Sequence, residues 1–297
     1  MIRLFIAIII VTLGSSAAVA QVQPASAKAT EARPVAVQFF ALEHGAPVAA
    51  LHEADISIQD EGQPAPAIKL YRGAELPLRL GVLVDTSSAQ EQSPVFIGAV
   101  QALGDFLMQM TKGDQDKLFF EKFSATPDAS DFMDRRQLAR YNVNLTFGPG
   151  TALYDAIVLA CQERIAKDAA NPARRVLVVV TNGADSSSRA NLEAAIHAAE
   201  KAGVSIFTVS TNGTRVHRKG DAVLDTIADS TGGQFFQEDA RDMAKVFSRI
   251  GEQINGMYVA LYTSGARDEK FHSVRVRQSA GKKLEMRAAK RYFSAAP

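Results

Sequence analysis

Three short stretches hold the oxygen-bearing side chains whose spacing could do chemistry. The first is Asp85-Thr86-Ser87-Ser88-Ala89, directly after an apolar run. The second is Phe147-Gly148-Pro149-Gly150-Thr151-Ala152-Leu153-Tyr154-Asp155, a Gly/Pro loop that leads into an apolar helical series. The third is Thr181-Asn182-Gly183-Ala184-Asp185, after the run Arg175-Val176-Leu177-Val178-Val179-Val180. In an extended segment residues two apart point the same way, so Asp85 and Ser87 can face one ligand together. The same residues also have local uses. Asp85 can tether its own loop through backbone N–H groups, and Thr151 can cap its helix.

Other chemistries lack their residues. No G-x-S-x-G elbow surrounds Ser87 or Ser187, and no nucleophile–base–orienter set is evident. The histidines at 44, 52, 197, 217 and 272 show neither HExxH nor zinc spacing. Gly148 and Gly150 flank Pro149 without the third glycine of a dinucleotide loop, so they read as a turn. Cys161 is the only cysteine and falls in a helical series with Leu153, Ile157 and Ile165. It reads as a small buried hydrophobe, and an internal disulfide is impossible. The chain is therefore expected not to be an enzyme.

Charge adds a further exclusion. Lys plus Arg number 33 and Asp plus Glu 32, for a net charge of +1. Such a balance gives no global field for collecting nucleic acid. Arg275, Arg277, Lys283 and Arg287 read as a solvated strand face that blunts a sheet edge. At the start of the chain, Arg3, an apolar run from Leu4 to Leu13 broken only by Thr12, and Ala18-Val19-Ala20 read as an export signal cleaved after Ala20. That run is shorter than the roughly 20 residues a membrane span needs, and no later segment is long and apolar enough. Residues 21–33, rich in Ala, Pro and Ser, read as a linker. The mature protein is expected to be periplasmic or secreted.

The elements that must position the three stretches follow from hydrophobic period. Residues 34–76 alternate with period two and carry an Asp60-Glu61-Gly62 turn, with Ile68 and Leu70 resuming on the far side. Residues 77–255 alternate buried strands with helices. Strands are expected at 78–85, 117–124, 175–182, 204–211 and 234–237. Helices are expected from Ser93-Pro94 to Met110, over 151–167, 191–202 and 221–230, and around Met243, Val246, Ile250 and Ile254. This pattern implies a doubly wound, mostly parallel α/β sheet. Residues 256–297 return to period two. Neither β region has enough strands to stand alone, so the two are expected to form one small β-sandwich with the α/β domain inserted.

The three stretches resemble those of the von Willebrand factor A-type (VWA) domain, the fold of integrin inserted domains. The resemblance covers residues 78–255 and includes the run from Leu224 to Gly233. The flanking β segments resemble those of a bacterial VWA-related group, down to the basic, aromatic ending. The family pattern is Asp-x-Ser-x-Ser, then a Thr, then an Asp, forming a metal-ion-dependent adhesion site. The resemblance implies Asp85, Ser87 and Thr151 as ligands of Mg²⁺ or Mn²⁺, with Asn182 as a weak fourth. Such an ion wants about six oxygens near 2.1 Å. Ala89 stands at the third Asp-x-Ser-x-Ser position and Asn182 at the third-loop Asp, so the site is degenerate. The implied function is binding of another protein at the top edge, through an acidic side chain of that partner. The alternatives are a structural envelope protein with a vestigial edge, or a hydrolase.

Overall fold

The computed structural model describes residues 34–294, apart from 169–171, 215, 216, 267, 280 and 282. The export signal and linker read at 1–33 lie outside the described residues. In chain order the strands are β1 (Pro34–Glu43), β2 (Ala46–Pro47), β3 (Ile56–Asp60), β4 (Gln63–Ala65), β5 (Ala67–Arg72), β6 (Leu78–Asp85), β7 (Lys117–Phe123) and β8 (Pro127–Ala129). They continue as β9 (Arg174–Thr181), β10 (Ser205–Ser210), β11 (Phe235–Gln237), β12 (Tyr258–Thr263), β13 (Phe271–Gln278), β14 (Glu285–Ala288) and β15 (Arg291–Phe293). The helices are α1 (Pro94–Met110), α2 (Arg135–Leu138), α3 (Leu153–Leu159), α4 (Leu192–Ala202), α5 (Lys219–Thr231) and α6 (Met243–Gly256). None is long and apolar enough to cross a membrane.

The central sheet runs β11-β10-β9-β6-β7-β8. Its strands are parallel except β8, which is antiparallel to β7. All eight residues of β6 are buried, as a strand covered on both faces requires. One face packs on α1 and α6 through residues such as Val82, Leu103, Phe106 and Ile250. The other packs under α3, α4 and α5 through Leu83, Ile157, Ala199 and Leu224. Helices on both faces make the sheet doubly wound. Ser93 starts α1 as expected: its side chain accepts from the Phe96 N–H, with Pro94 in the first turn.

The flanks form two antiparallel sheets, β14-β1-β12-β5 with β2 on β1, and β15-β13-β3-β4. Each mixes strands from both ends of the chain. Val37, Phe39, Ile58, Tyr262, Val274 and Tyr292 pack between them as a third core. The β3–β4 turn has positive φ at Glu61 (49°) and Gly62 (77°), the primed geometry that suits the twist of a hairpin. Beyond it the chain departs from the simple hairpin read in sequence. β4 pairs with β3, whereas β5 crosses to the other sheet and pairs with β12. Arg72 lies opposite Tyr258, and the Gly73 N–H donates to the Met257 carbonyl at 2.7 Å. Departure and return of the α/β segment are thereby joined. The described residues fall within one compact unit.

β1 is buried on both faces. Phe39 and Ala41 belong to the sandwich core, while Phe40 and Leu42 belong to the α/β core. Gln38 spans the seam. Its Nε2 donates to the Arg175 carbonyl (2.7 Å) and Ser205 Oγ (2.8 Å), and its Oε1 accepts from the Arg175 N–H.

Candidate functional site

From β6 the chain moves outward to β7, then returns on the other side of β6 as β9. The carboxyl ends of β6 and β9 therefore flank the point where strand order reverses, the usual ligand crevice of an open α/β sheet. Asp85 ends β6 there and Thr181 ends β9.

The Asp85 side chain has no exposed surface. A buried carboxylate needs donors in place of water. It has three: the Ser87 N–H on Oδ1 (2.9 Å), and Thr181 Oγ1 (2.6 Å) and Gln90 Nε2 (3.0 Å) on Oδ2. Gln90 is itself buried, and its Oε1 accepts from Thr211 Oγ1 at 2.9 Å. Thr181 Oγ1 accepts from the Gly183 N–H at 3.2 Å. The network ties the ends of β6, β9 and β10 together. Ser87 Oγ lies beside it, buried and with no hydrogen-bond partner among the described residues.

The second stretch is pinned to the first. Ser87 and Gly148 form a parallel bridge, and Ser88 Oγ donates to the Gly148 carbonyl at 3.0 Å. Ser88 thus points away from Asp85, as alternation requires. The helix after Thr151 begins two residues later than expected, at Leu153, and its residues Ala160–Ile165 form a π turn. Thr151 does not cap it. The cap position is Ala152, and the exposed N–H groups are met from the third stretch. Asp185 Oδ2 accepts from the Tyr154 N–H (3.1 Å) and Ser188 Oγ from the Asp155 N–H (3.0 Å). Asp155 reciprocates by accepting from the Arg189 and Ala190 N–H groups. Thr151 joins the same seam through its backbone, donating to Ser186 Oγ and accepting from the Ser186 and Ser187 N–H groups. Burial, with Asp185 beside it, raises the Tyr154 hydroxyl above its usual pKa.

Asn182 follows Thr181, and its Oδ1 accepts from the Ala184 N–H at 2.9 Å, so the side-chain oxygen serves its own loop. A second buried carboxylate, Asp221 at the start of α5, accepts from Ser210 Oγ (2.5 Å), Asn212 Nδ2 (2.9 Å) and the Arg218 N–H (2.6 Å). Asp221, Gln90 and Thr211 were not singled out from sequence, and Thr181 was named only as the first residue of the third stretch. Thr181 and Thr211 close apolar runs, which is the signal that could have found them.

For a hard divalent cation these residues are a poor fit. Such an ion wants about six oxygens with carboxylate charge among them. Both Asp85 oxygens already accept hydrogen bonds, Asn182 Oδ1 is turned into its loop, and Ala89 offers none. The hydroxyls of Ser87 and Thr151 remain, and they bring no charge. Among the described residues no group of three or more His, Cys, Asp or Glu side chains could hold a metal.

The family model described as von Willebrand factor type A domain matches residues 82–249, more than half of the 297-residue chain. The chain belongs to the VWA domain family. Its doubly wound sheet and the flanking antiparallel sheets agree with that assignment. Among solved structures, it is similar to the vWF domain of the type V pili tip protein Mfa5 from Porphyromonas gingivalis, at 13% identity and a TM-score of 0.50. That match covers 61% of this chain and 95% of the other. It is also similar to proximal thread matrix protein 1 from the mussel byssus, solved with a zinc-occupied MIDAS motif, at 16% identity and a TM-score of 0.50. Here the match covers 66% of this chain and 49% of the other, so it spans about half of the mussel protein. At such identities the likeness is one of fold. No curated protein sequence matches the chain.

Proposed function

We propose that this chain is an exported, non-catalytic protein-binding module that engages its partner at the carboxyl edge of the VWA sheet, with an adhesion site that has lost its cation. The observation that carries this reading is the Asp85 network. Gln90, Thr181 and the Ser87 N–H supply the positive dipoles that a metal shell would otherwise supply. The edge is thus a rigid surface without any ion. Further support comes from the loops locked by Asp185, Ser188 and Asp155. The P. gingivalis neighbour is a pilus tip protein, a role in keeping with an exported contact domain.

Two measurements test the reading. A photo-reactive residue at position 184, in the third loop, is expected to cross-link one protein in cells that make this chain. The same residue at position 114, at the opposite end of the sheet, gives no adduct with it. Adducts from 114 and none from 184 would place the contact elsewhere. Millimolar Mg²⁺ or Mn²⁺ should leave the unfolding temperature unchanged, because only a ligand that binds the native state raises it. A saturable rise that disappears in Asp85→Ala would restore the cation to Asp85, Ser87 and Thr151. The start of the exported chain is checked by N-terminal sequencing, with Gln21 expected first.

A further inference from the structure

Tyr141-Asn142-Val143-Asn144-Leu145-Thr146-Phe147 alternates apolar and polar residues without a break, the period of a half-buried strand. The chain runs straight there, with no bend, no turn and no positive φ. Yet the segment belongs to no sheet. From Asn142 to Phe147 no backbone N–H or C=O forms a hydrogen bond among the described residues. A row of open backbone groups at the surface is a template for another strand. Its two ends are fixed. The Tyr141 N–H donates to the Leu138 carbonyl after α2 (3.0 Å), and Gly148 is bridged to Ser87.

One face of the segment is apolar. At its end that face is half-buried: Leu145 and Phe147 pack against the core beside α1, and Phe147 meets Phe96 edge-on at 5.8 Å. At its start the face is bare. Tyr141 and Val143 are two of the three exposed large hydrophobic residues among those described. The pattern reads alike from both ends. An antiparallel second copy centred on Asn144 sets Tyr141 opposite Phe147, Asn142 opposite Thr146 and Val143 opposite Leu145. The bare half of each copy is then covered by the half-buried end of the other. The segment carries no charge, so nothing in it repels a second copy. Its flanks are complementary. Arg140 and Glu91 are both exposed, and neither forms an ion pair among the described residues. In the antiparallel register Arg140 lies opposite Gly148 of the second copy, whose carbonyl holds Ser88, three residues before Glu91. Opposite charges therefore meet at both ends. A parallel pair would set Arg140 against Arg140.

We propose that residues 141–147 are the pairing strand of a homodimer, in which two copies join antiparallel across a two-fold axis at Asn144. The same strand serves both copies, so the contact is self-complementary and closes at two. The proposal goes beyond the edge reading and does not rest on it. Because Gly148 is bridged to Ser87, pairing here also brings two carboxyl edges near each other. A dimer then presents two contact surfaces at once.

The test is sedimentation equilibrium of the full chain, with cysteine cross-linking to fix the register. Wild type is expected to show a reversible monomer–dimer equilibrium. Val143→Lys, at an exposed position whose contact with Leu145 occurs twice, should weaken dimerisation about tenfold or more and leave the unfolding temperature near wild type. Asn144→Cys should form a disulfide dimer on mild oxidation, because directly opposed Cα atoms lie about 4.5–5.5 Å apart. Asn142→Cys alone should form none, since its two copies lie roughly 14 Å apart along the strands. Mixed with Thr146→Cys, it should give the cross-linked pair. Cys161 is buried and takes no part. A chain that stays monomeric up to about 1 mM, a dimer untouched by Val143→Lys, or Asn142→Cys joining to itself as readily as Asn144→Cys would each overturn the proposal. So would a photo-reactive residue at position 144 that captures another protein in cells and never a second copy, which would give the open strand to a foreign partner. None of these readouts involves position 184, so the edge reading stands or falls by its own measurement.

Discussion

Asp85 and Glu121 are both carboxylates with no exposed surface, yet their surroundings are opposite. Asp85 accepts from three donors. Asp85→Ala would strand Gln90 Nε2 and Thr181 Oγ1 without an acceptor, and should cost about 1–3 kcal/mol in urea unfolding. A neutral result would mean the network carries no stability. Both Glu121 oxygens are buried with no hydrogen-bond partner among the described residues. Burial raises its pKa well above the ordinary range, and the Arg164 charge opposes that only in part. In the unfolded chain a glutamate ionises near about pH 4.3. In the fold Glu121 holds its proton to higher pH, so the native state binds more protons between the two values. Its share of stability is therefore full below about pH 4.3 and falls as pH rises toward the folded value. Glu121→Met should abolish that decline and stabilise the protein at neutral pH by about 1–3 kcal/mol. A decline that persists in the variant would assign the proton to another group. The burial of Cys161 beside it, with the thiol pKa pushed up, matches the inert role read from its helical position. Sequence placed Asp85, Ser87, Thr151 and Asn182 at one edge because each follows or precedes a strongly periodic element. It could not show Gln90, which sits on a short 3₁₀ turn with no period to say which side faces in.

Helix starts and glycine contacts hold the edge together at the next scale. The first turn of α3 is capped by Asp185 and Ser188, more than thirty residues further along the chain, so local capping rules pointed to Thr151 instead. The π turn at Ala160–Ile165 was also invisible, because every residue in it suits an α-helix and only the extra residue in the turn distinguishes it. By contrast the start of α4 was legible. Asn191 caps it by accepting from the Ala194 N–H, and Gly203 ends it at positive φ. The Gly183–Gly220 approach gives a prediction that belongs here. Gly220→Ala would drive a methyl into the Asn182 carbonyl, pushing α5 off the third loop. The expected cost is about 1–3 kcal/mol in urea unfolding. Unchanged stability would mean the third loop and α5 are free to separate.

Over the whole molecule the sandwich and the α/β layers share walls rather than a linker. Phe40 meets Phe207 edge-on at 5.4 Å between centroids. Arg291, on the last strand, pairs with the buried Glu200 of α4 at 2.9 Å. A piece spanning residues 77–255 alone should expose the face that Phe40 and Leu42 cover. It is expected to bind a hydrophobic dye and associate, whereas residues 34–297 remain monodisperse in gel filtration. A soluble, dye-silent 77–255 piece would show that β1 is dispensable to the α/β core. That two β ends would combine was legible, since neither could stand alone. That one strand would serve two cores was not, because Phe39-Phe40-Ala41-Leu42 reads as a single apolar run whichever faces it covers.

The dual burial of β1 also sets an order of events. Residues 34–39 lie opposite residues 258–263, and residues 39–42 lie opposite residues 285–288. The first of the described strands thus waits for some of the last. Until residue 258 has emerged, Phe39 has neither of its neighbouring strands, and until residue 288 has emerged it has only one. A pairing so distant in sequence closes late and slowly. If the chain is exported as proposed above, that delay leaves β1 unpaired until most of the chain has crossed the membrane.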